Sequence, residues 1–148
     1  MVPPEQDPAA NLDGVVAYVD GGTDKLPSLP SSDTFSPVVQ QVYYLLGDYY
    51  FKNKEFGKAI RYYMLDICIN PNRLDSWAGM ALSRSAQLEQ RINSCEPKNE
   101  GTISKRAISS LRCFKHALEV DPANASLWIE YGSLAYMLQS HISRQLKQ

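Results

Sequence analysis

The sequence predicts an all-α chain of antiparallel helical hairpins, and three observations predict it. Apolar residues recur at helical spacing from Ser36 onward, prolines and asparagines punctuate them, and one aromatic-led motif returns at a fixed interval. The 148 residues suit one domain of ordinary size, and 44% hydrophobic residues are enough to build a core.

Five helices follow in order. Ser36-Pro37 reads as a cap and first turn, because proline has no N–H to place there. The segment 38–52 then keeps Val39, Val42, Tyr43, Leu46, Tyr49 and Tyr50 on helical spacing. Asn53-Lys54 breaks the pattern, and 55–69 resumes it with Phe56, Ala59, Ile60, Tyr63 and Ile67. Asn70-Pro71-Asn72 ends that helix, since proline removes a donor and disfavours helix before it. Asp75 and Ser76 precede a third helix from Trp77 to about Arg91. A polar stretch with Asn93, Ser94, Glu96, Pro97, Asn99 and Gly101 separates it from a fourth helix at about 104–119. Asp121-Pro122 stops the fourth, and the fifth runs from Ser126 to about Arg144.

Self-comparison carries most of the weight. The first pair of helices reads Tyr43-x2-Leu46-Gly47-x2-Tyr50, then Ala59-x3-Tyr63, then Pro71. Trp77 opens the next unit 34 positions later, followed by Met80-Ala81, Ser110-x3-Phe114-x2-Ala117 and Pro122. Trp128-x2-Tyr131-Gly132-x2-Ala135 opens a third. These aromatic, leucine, small-residue and proline positions resemble the tetratricopeptide pattern. The small residues Gly47, Ala81 and Gly132 let paired helices approach, and the aromatics fill the wedge between hairpins. Trp77 and Trp128 are 51 positions apart, an excess of 17 over the period. The excess spans about 90–102, a surface loop or an extension of both flanking helices. The expected units are about 40–73, 74–124 with the insertion, and a partial 125–148. A single helix in the third unit marks the sequence as a piece of a longer solenoid, unless that helix caps the array by itself.

The first 36 residues differ in kind. They hold prolines 3, 4, 8, 27 and 30, the pair Gly21-Gly22, and six acids against the one base Lys25. They read as a disordered arm ahead of a domain at 37–148. Val15-Val16-Ala17-Tyr18-Val19 has strand-like character without a partner strand, and its alternative reading is a short docking peptide.

Several functions are not expected. The net −5 of the arm leaves +4 on the rest, short of the clustered basic stripe of a nucleic-acid binder, so no direct nucleic-acid contact is expected. No run nears the roughly 18 apolar residues that span a bilayer, and a basic-then-apolar leader is missing. With three cysteines in no framework spacing, an intracellular chain with reduced thiols is expected. His116 and His141 fall on different helices, His116 on an expected outer face, and no nucleophile, base and orienting group gather. No enzyme, cofactor or small-molecule substrate is expected. Cys113-x2-His116 is a weak metal pair with Cys95 as a remote third, while Cys68 reads as a small buried hydrophobe; no metal site is expected.

First helices of such hairpins line a concave groove. Here its lining is expected to include Gln41, Tyr44, Asp48, Phe51 and Lys52 from unit one, and Asp75, Ala78, Leu82, Ser85 and Ala86 from unit two. Ser126, Ile129, Ser133, Tyr136 and Met137 come from unit three. An apolar, aromatic lining suits a partner helix or an extended apolar segment, or else packing against further units. Asp48 and Glu130 stand where receptors of chaperone tails carry carboxylate-binding residues, and they would repel a carboxylate.

Longer stretches resemble one family more closely. They are Tyr43-Tyr44-Leu45-Leu46-Gly47-Asp48-Tyr49, Lys52-Asn53-Lys54-Glu55 with Lys58-Ala59-Ile60, and Asp66-Ile67-Cys68-Ile69 with Pro71-Asn72-Arg73. Asp75-Ser76-Trp77-Ala78-Gly79-Met80-Ala81-Leu82, Leu127-Trp128-Ile129-Glu130-Tyr131-Gly132 and Ser143-Arg144-Gln145-Leu146-Lys147-Gln148 complete the set. Over about 38–148 they resemble the family of the calcineurin-binding protein cabin. The resemblance implies a nuclear, non-catalytic scaffold in the HIRA histone-chaperone complex, which assembles nucleosomes independently of replication and bears on transcription. Its implied partners are histone-chaperone subunits. Links to calcineurin and the myocyte enhancer factor belong to a far C-terminal part with no counterpart here, and a Pro-x-Ile-x-Ile-Thr pattern is missing. The alternative is an independent cytosolic adaptor holding a client peptide or helix in its groove.

Overall fold

The computed structural model describes residues 7–94 and 100–146. Its helices are α1 (Leu12–Val19), α2 (Val39–Lys52), α3 (Phe56–Ile69), α4 (Leu74–Ile92), α5 (Glu100–Val120) and α6 (Ala125–Leu146). Short 3-10 turns lie at Pro8–Asn11 and Ser32–Thr34, and the described residues contain no strand. The chain is all-α. None of these helices is long and apolar enough to cross a membrane.

Local chemistry sets the boundaries. Ser36 Oγ accepts from the Val39 N–H (3.3 Å) and its carbonyl from that of Gln40, so Ser36 leads into α2, although the helix begins at Val39 and Pro37 lies in the turn before it. Asn124 Oδ1 accepts from the Leu127 N–H (3.1 Å) and caps α6. Ser76, expected just ahead of the third helix, lies inside α4, where it is buried and bonded to Asp66. The excess residues of unit two lengthen its helices: α4 continues to Ile92 and α5 starts at Glu100. The centre of that insertion, including Cys95 and Pro97, lies outside the described residues.

Helices adjacent in sequence pack together, α2 on α3, α3 on α4, α4 on α5 and α5 on α6; α2 also touches α4, and α4 touches α6. Tyr63, Met64 and Ile67 of α3, Trp77 and Met80 of α4, and Phe114 and Ala117 of α5 form the middle of the core. A buried carboxylate ties three helices at the Asn70–Arg73 turn. Asp66 (0% exposed) accepts from Ser76 Oγ (2.6 Å) and Asn70 Nδ2 (3.0 Å), and pairs with Arg73 Nε (3.2 Å). Arg73 and Asn70 also donate to the Gln40 carbonyl at the start of α2. Burial raises the pKa of Asp66, and bonds from Ser76 and Asn70, then the charge of Arg73, pull it back.

The N-terminal segment departs from expectation. Residues 12–19 are neither disordered nor a strand; they form α1, which packs on both α3 and α5. Val15 and Val19 are fully buried, Tyr18 nearly so, and Leu12 and Val16 pack beside them. Leu12, Val15, Val16 and Val19 are one helical stripe of barely two turns, and three of the four are valines, whose β-branching favours strands. Packing decides the outcome. The chain then folds back, so that a methyl group at Gly14 would stand 2.9 Å from Pro27 Cγ.

Candidate protein-docking face

Equivalent positions of the repeat can be compared within the fold. Trp77, in the first turn of α4, donates its indole N–H to the carbonyl of Pro71 (2.7 Å). Trp128, in the first turn of α6, donates likewise to Pro122 (2.8 Å). The two bonds match, but the surroundings differ. Trp77 is 0% exposed, stacked on His116 of α5 (ring centres 3.9 Å, planes at 25°) and met edge-on by Tyr18 of α1 (6.0 Å). Trp128 is 51% exposed, with Tyr131 edge-on at 6.2 Å.

The small-residue positions repeat this contrast. A methyl group at Gly47 would stand 2.7 Å from Tyr63 Cδ1 on α3. Ala81 is fully buried, and its carbonyl accepts from Ser110 Oγ of α5 (3.0 Å). A methyl group at Gly132 would meet nothing within 4 Å among the described residues. Each first helix thus carries a small-residue strip, covered on α2 and α4 by the helix that follows. On α6 the strip is open. Gly79, which the repeat did not single out, holds Tyr63 from the other side, where a methyl would come within 2.5 Å of Cζ.

A cleft of about 580 Å³ lies between α5 and α6. Ile108, Leu111 and Leu118 of α5 face Trp128 and Tyr131 of α6, with Arg112, Lys115 and Glu119 completing the lining. Arg112 is held in place: it donates to the Thr23 carbonyl (3.1 Å), lies 3.8 Å from Asp24 and covers the Tyr18 ring. Ile129, Tyr136 and Ile142 extend the exposed apolar surface along α6. Large apolar side chains left exposed in this number on one helix are a feature of interaction sites.

No family model matches this chain, and no solved structure matches it.

The expected groove residues fall into two groups. Tyr44, Asp48 and Asp75 gather near Tyr63, where burial, then Asp75 and Asp48, raise the Tyr44 phenol above its usual pKa. Most are engaged within the chain. Lys52 pairs with Asp48 (2.8 Å), Arg73 covers the Tyr44 ring and donates to Gln41 Oε1, and Phe51 meets Phe56 edge-on. Asp75 and Ser126 are exposed, Leu82 and Met137 pack partly on the core, and Ile129 and Tyr136 stand open. The cleft residues of α5 were missed, although they carry a signal: Ile108, Leu111, Lys115 and Leu118 form a second helical stripe on that helix.

The weak metal pair has other partners. His116, expected on an outer face, is half-buried; its Nδ1 is bonded to Tyr18 Oη (3.1 Å), and burial lowers its pKa. Cys113 is fully buried and its thiol is pushed up to about 12, while burial lifts Cys68 to about 11. Among the described residues no three His, Cys, Asp or Glu side chains converge as a metal site.

Proposed function

We propose that this chain is a non-catalytic protein-interaction scaffold of tetratricopeptide-type hairpins, and that α6 receives a helix from a partner protein. The observation that carries the reading is the contrast at equivalent positions. Trp77 and Ala81 lie beneath α5, whereas Trp128 is half-exposed at an apolar cleft and a methyl group at Gly132 would meet nothing within 4 Å among the described residues. A partner helix would stand to α6 as α5 stands to α4, with a flat side chain over Trp128 as His116 lies over Trp77. The 34-residue period supports the hairpin assignment.

The resemblance over 38–148 supports a place in a nuclear histone-chaperone assembly, acting in replication-independent nucleosome assembly and transcriptional regulation. The calcineurin contact is not carried over. The test uses the whole chain, because α1 is part of the core. Immobilised on beads, it should retain HIRA-complex subunits from nuclear extract. Gly132→Leu, which fills the open position without meeting the core at its Cβ, should retain them about tenfold less well at a melting temperature no lower than the parent's. Equal retention by both chains overturns the docking face. Capture of one cytosolic protein instead of those subunits, lost in the variant, assigns the chain to the adaptor class.

A further inference from the structure

A second site lies between the end of α1 and the facing sides of α4 and α5. There a polar cavity of about 300 Å³ is lined by Asp20, Arg84, Thr102, Lys105, Arg106 and Ser109. Its α5 members fall at positions 102, 105, 106 and 109, so one helical stripe delivers them together. Three lining residues are cations, against the one carboxylate of Asp20. That carboxylate is 3.7 Å from the Arg84 guanidinium, beyond a good hydrogen bond. Arg84 donates to Gln87 Oε1 (3.2 Å), but its Nε is buried without a partner among the described residues. Burial lowers the Arg84 pKa; Asp20 opposes that, and Arg106 adds to it. Positive charge in this cavity is therefore under-compensated.

Ser109 points the same way. It is 1% exposed, and its hydroxyl has no hydrogen-bond partner among the described protein groups. The next serine shows what a purely structural hydroxyl does on this helix: Ser110 Oγ donates to the Ala81 carbonyl. A buried hydroxyl without a partner is costly unless a ligand supplies one.

We propose that this cavity binds a phosphoryl group, with Arg84, Lys105 and Arg106 around its oxygens and Ser109 Oγ donating to one of them. Asp20 is the intramolecular carboxylate that the anion displaces from Arg84. Free phosphate and a phosphomonoester share this chemistry, and the site does not depend on the scaffold reading.

The test is calorimetric titration of the whole chain with inorganic phosphate and, separately, with O-phosphoserine. Saturable binding is expected. Arg106→Gln should weaken it about tenfold and Asp20→Asn should tighten it. Ser109→Ala, which leaves net charge unchanged, should weaken binding without lowering the melting temperature. Tighter binding of O-phosphoserine identifies a phosphorylated side chain as the ligand, and tighter binding of phosphate identifies the free anion; both support the site. No saturable binding by any of these chains, or Arg106→Gln and Ser109→Ala binding as the parent does, overturns it.

Discussion

Tyr63 lies between two glycines on different helices, and that contact holds α2, α3 and α4 at close range. A methyl at Gly47 would press on one edge of the ring and a methyl at Gly79 on the other. Gly47→Ala should therefore destabilise the fold by about 1–3 kcal/mol through overpacking. Gly132→Ala, at the equivalent position of α6, should be neutral or stabilising by up to about 1 kcal/mol, because alanine is the better helix former. Urea midpoints of the two variants check the pair, and a neutral Gly47→Ala would sink the idea. His116 gives a pH signature. Burial lowers its folded pKa, so the unfolded chain takes up the proton first as pH falls. Stability from this group is full above about 6.5 and declines as pH falls through the lowered folded value, by less than about 1.4 kcal/mol per pH unit. Urea midpoints from neutral pH to about 5 should show that slope, and His116→Gln should flatten it. The role of His116 was not legible, because the face it occupies is covered by a segment read as disordered.

At the scale of elements, helices punctuated by proline and asparagine were legible and α1 was not. Asn70-Pro71 and Asp121-Pro122 mark ends by removing donors, and Ser36 and Asn124 mark starts by accepting them. Such signals act within a few residues of chain. By contrast, α1 has eight residues and no side-chain cap bond at its N-terminus, and valine supplies half of its apolar stripe or more. Its stability comes from contacts with α3 and α5, which no local window contains. Tyr18→Ala tests this directly. It removes the ring against Trp77 and the hydroxyl bonded to His116, and should cost about 3 kcal/mol. Trp77 emission should shift to the red as its cover is lost. An unchanged urea midpoint would mean that α1 adds nothing to the core.

Across the whole molecule, charge and apolar surface are both divided. The acidic N-terminal residues face the basic second half, with Asp20 near Arg84 and Asp24 near Arg112, so the imbalance read along the chain becomes contact between its parts. The all-helical class was legible because apolar residues recur at helical spacing from Ser36 onward. The open setting of Trp128 was less so. Trp77 and Trp128 make the same bond to a proline carbonyl and look alike as residues; what separates them is which helix lies on top. One further consequence follows from the seat of α1. Tyr18 and His116 are hydrogen-bonded across 98 positions. At synthesis rates of about 5–20 residues per second, roughly 5–20 s separate the making of α1 from the making of its seat on α5. Until α5 is made, Asp24 lacks Arg112 and the Tyr18 hydroxyl lacks His116. The seat of α1 is thus completed only after α5 has been made, and what the growing chain shows its surroundings is not what the finished molecule shows.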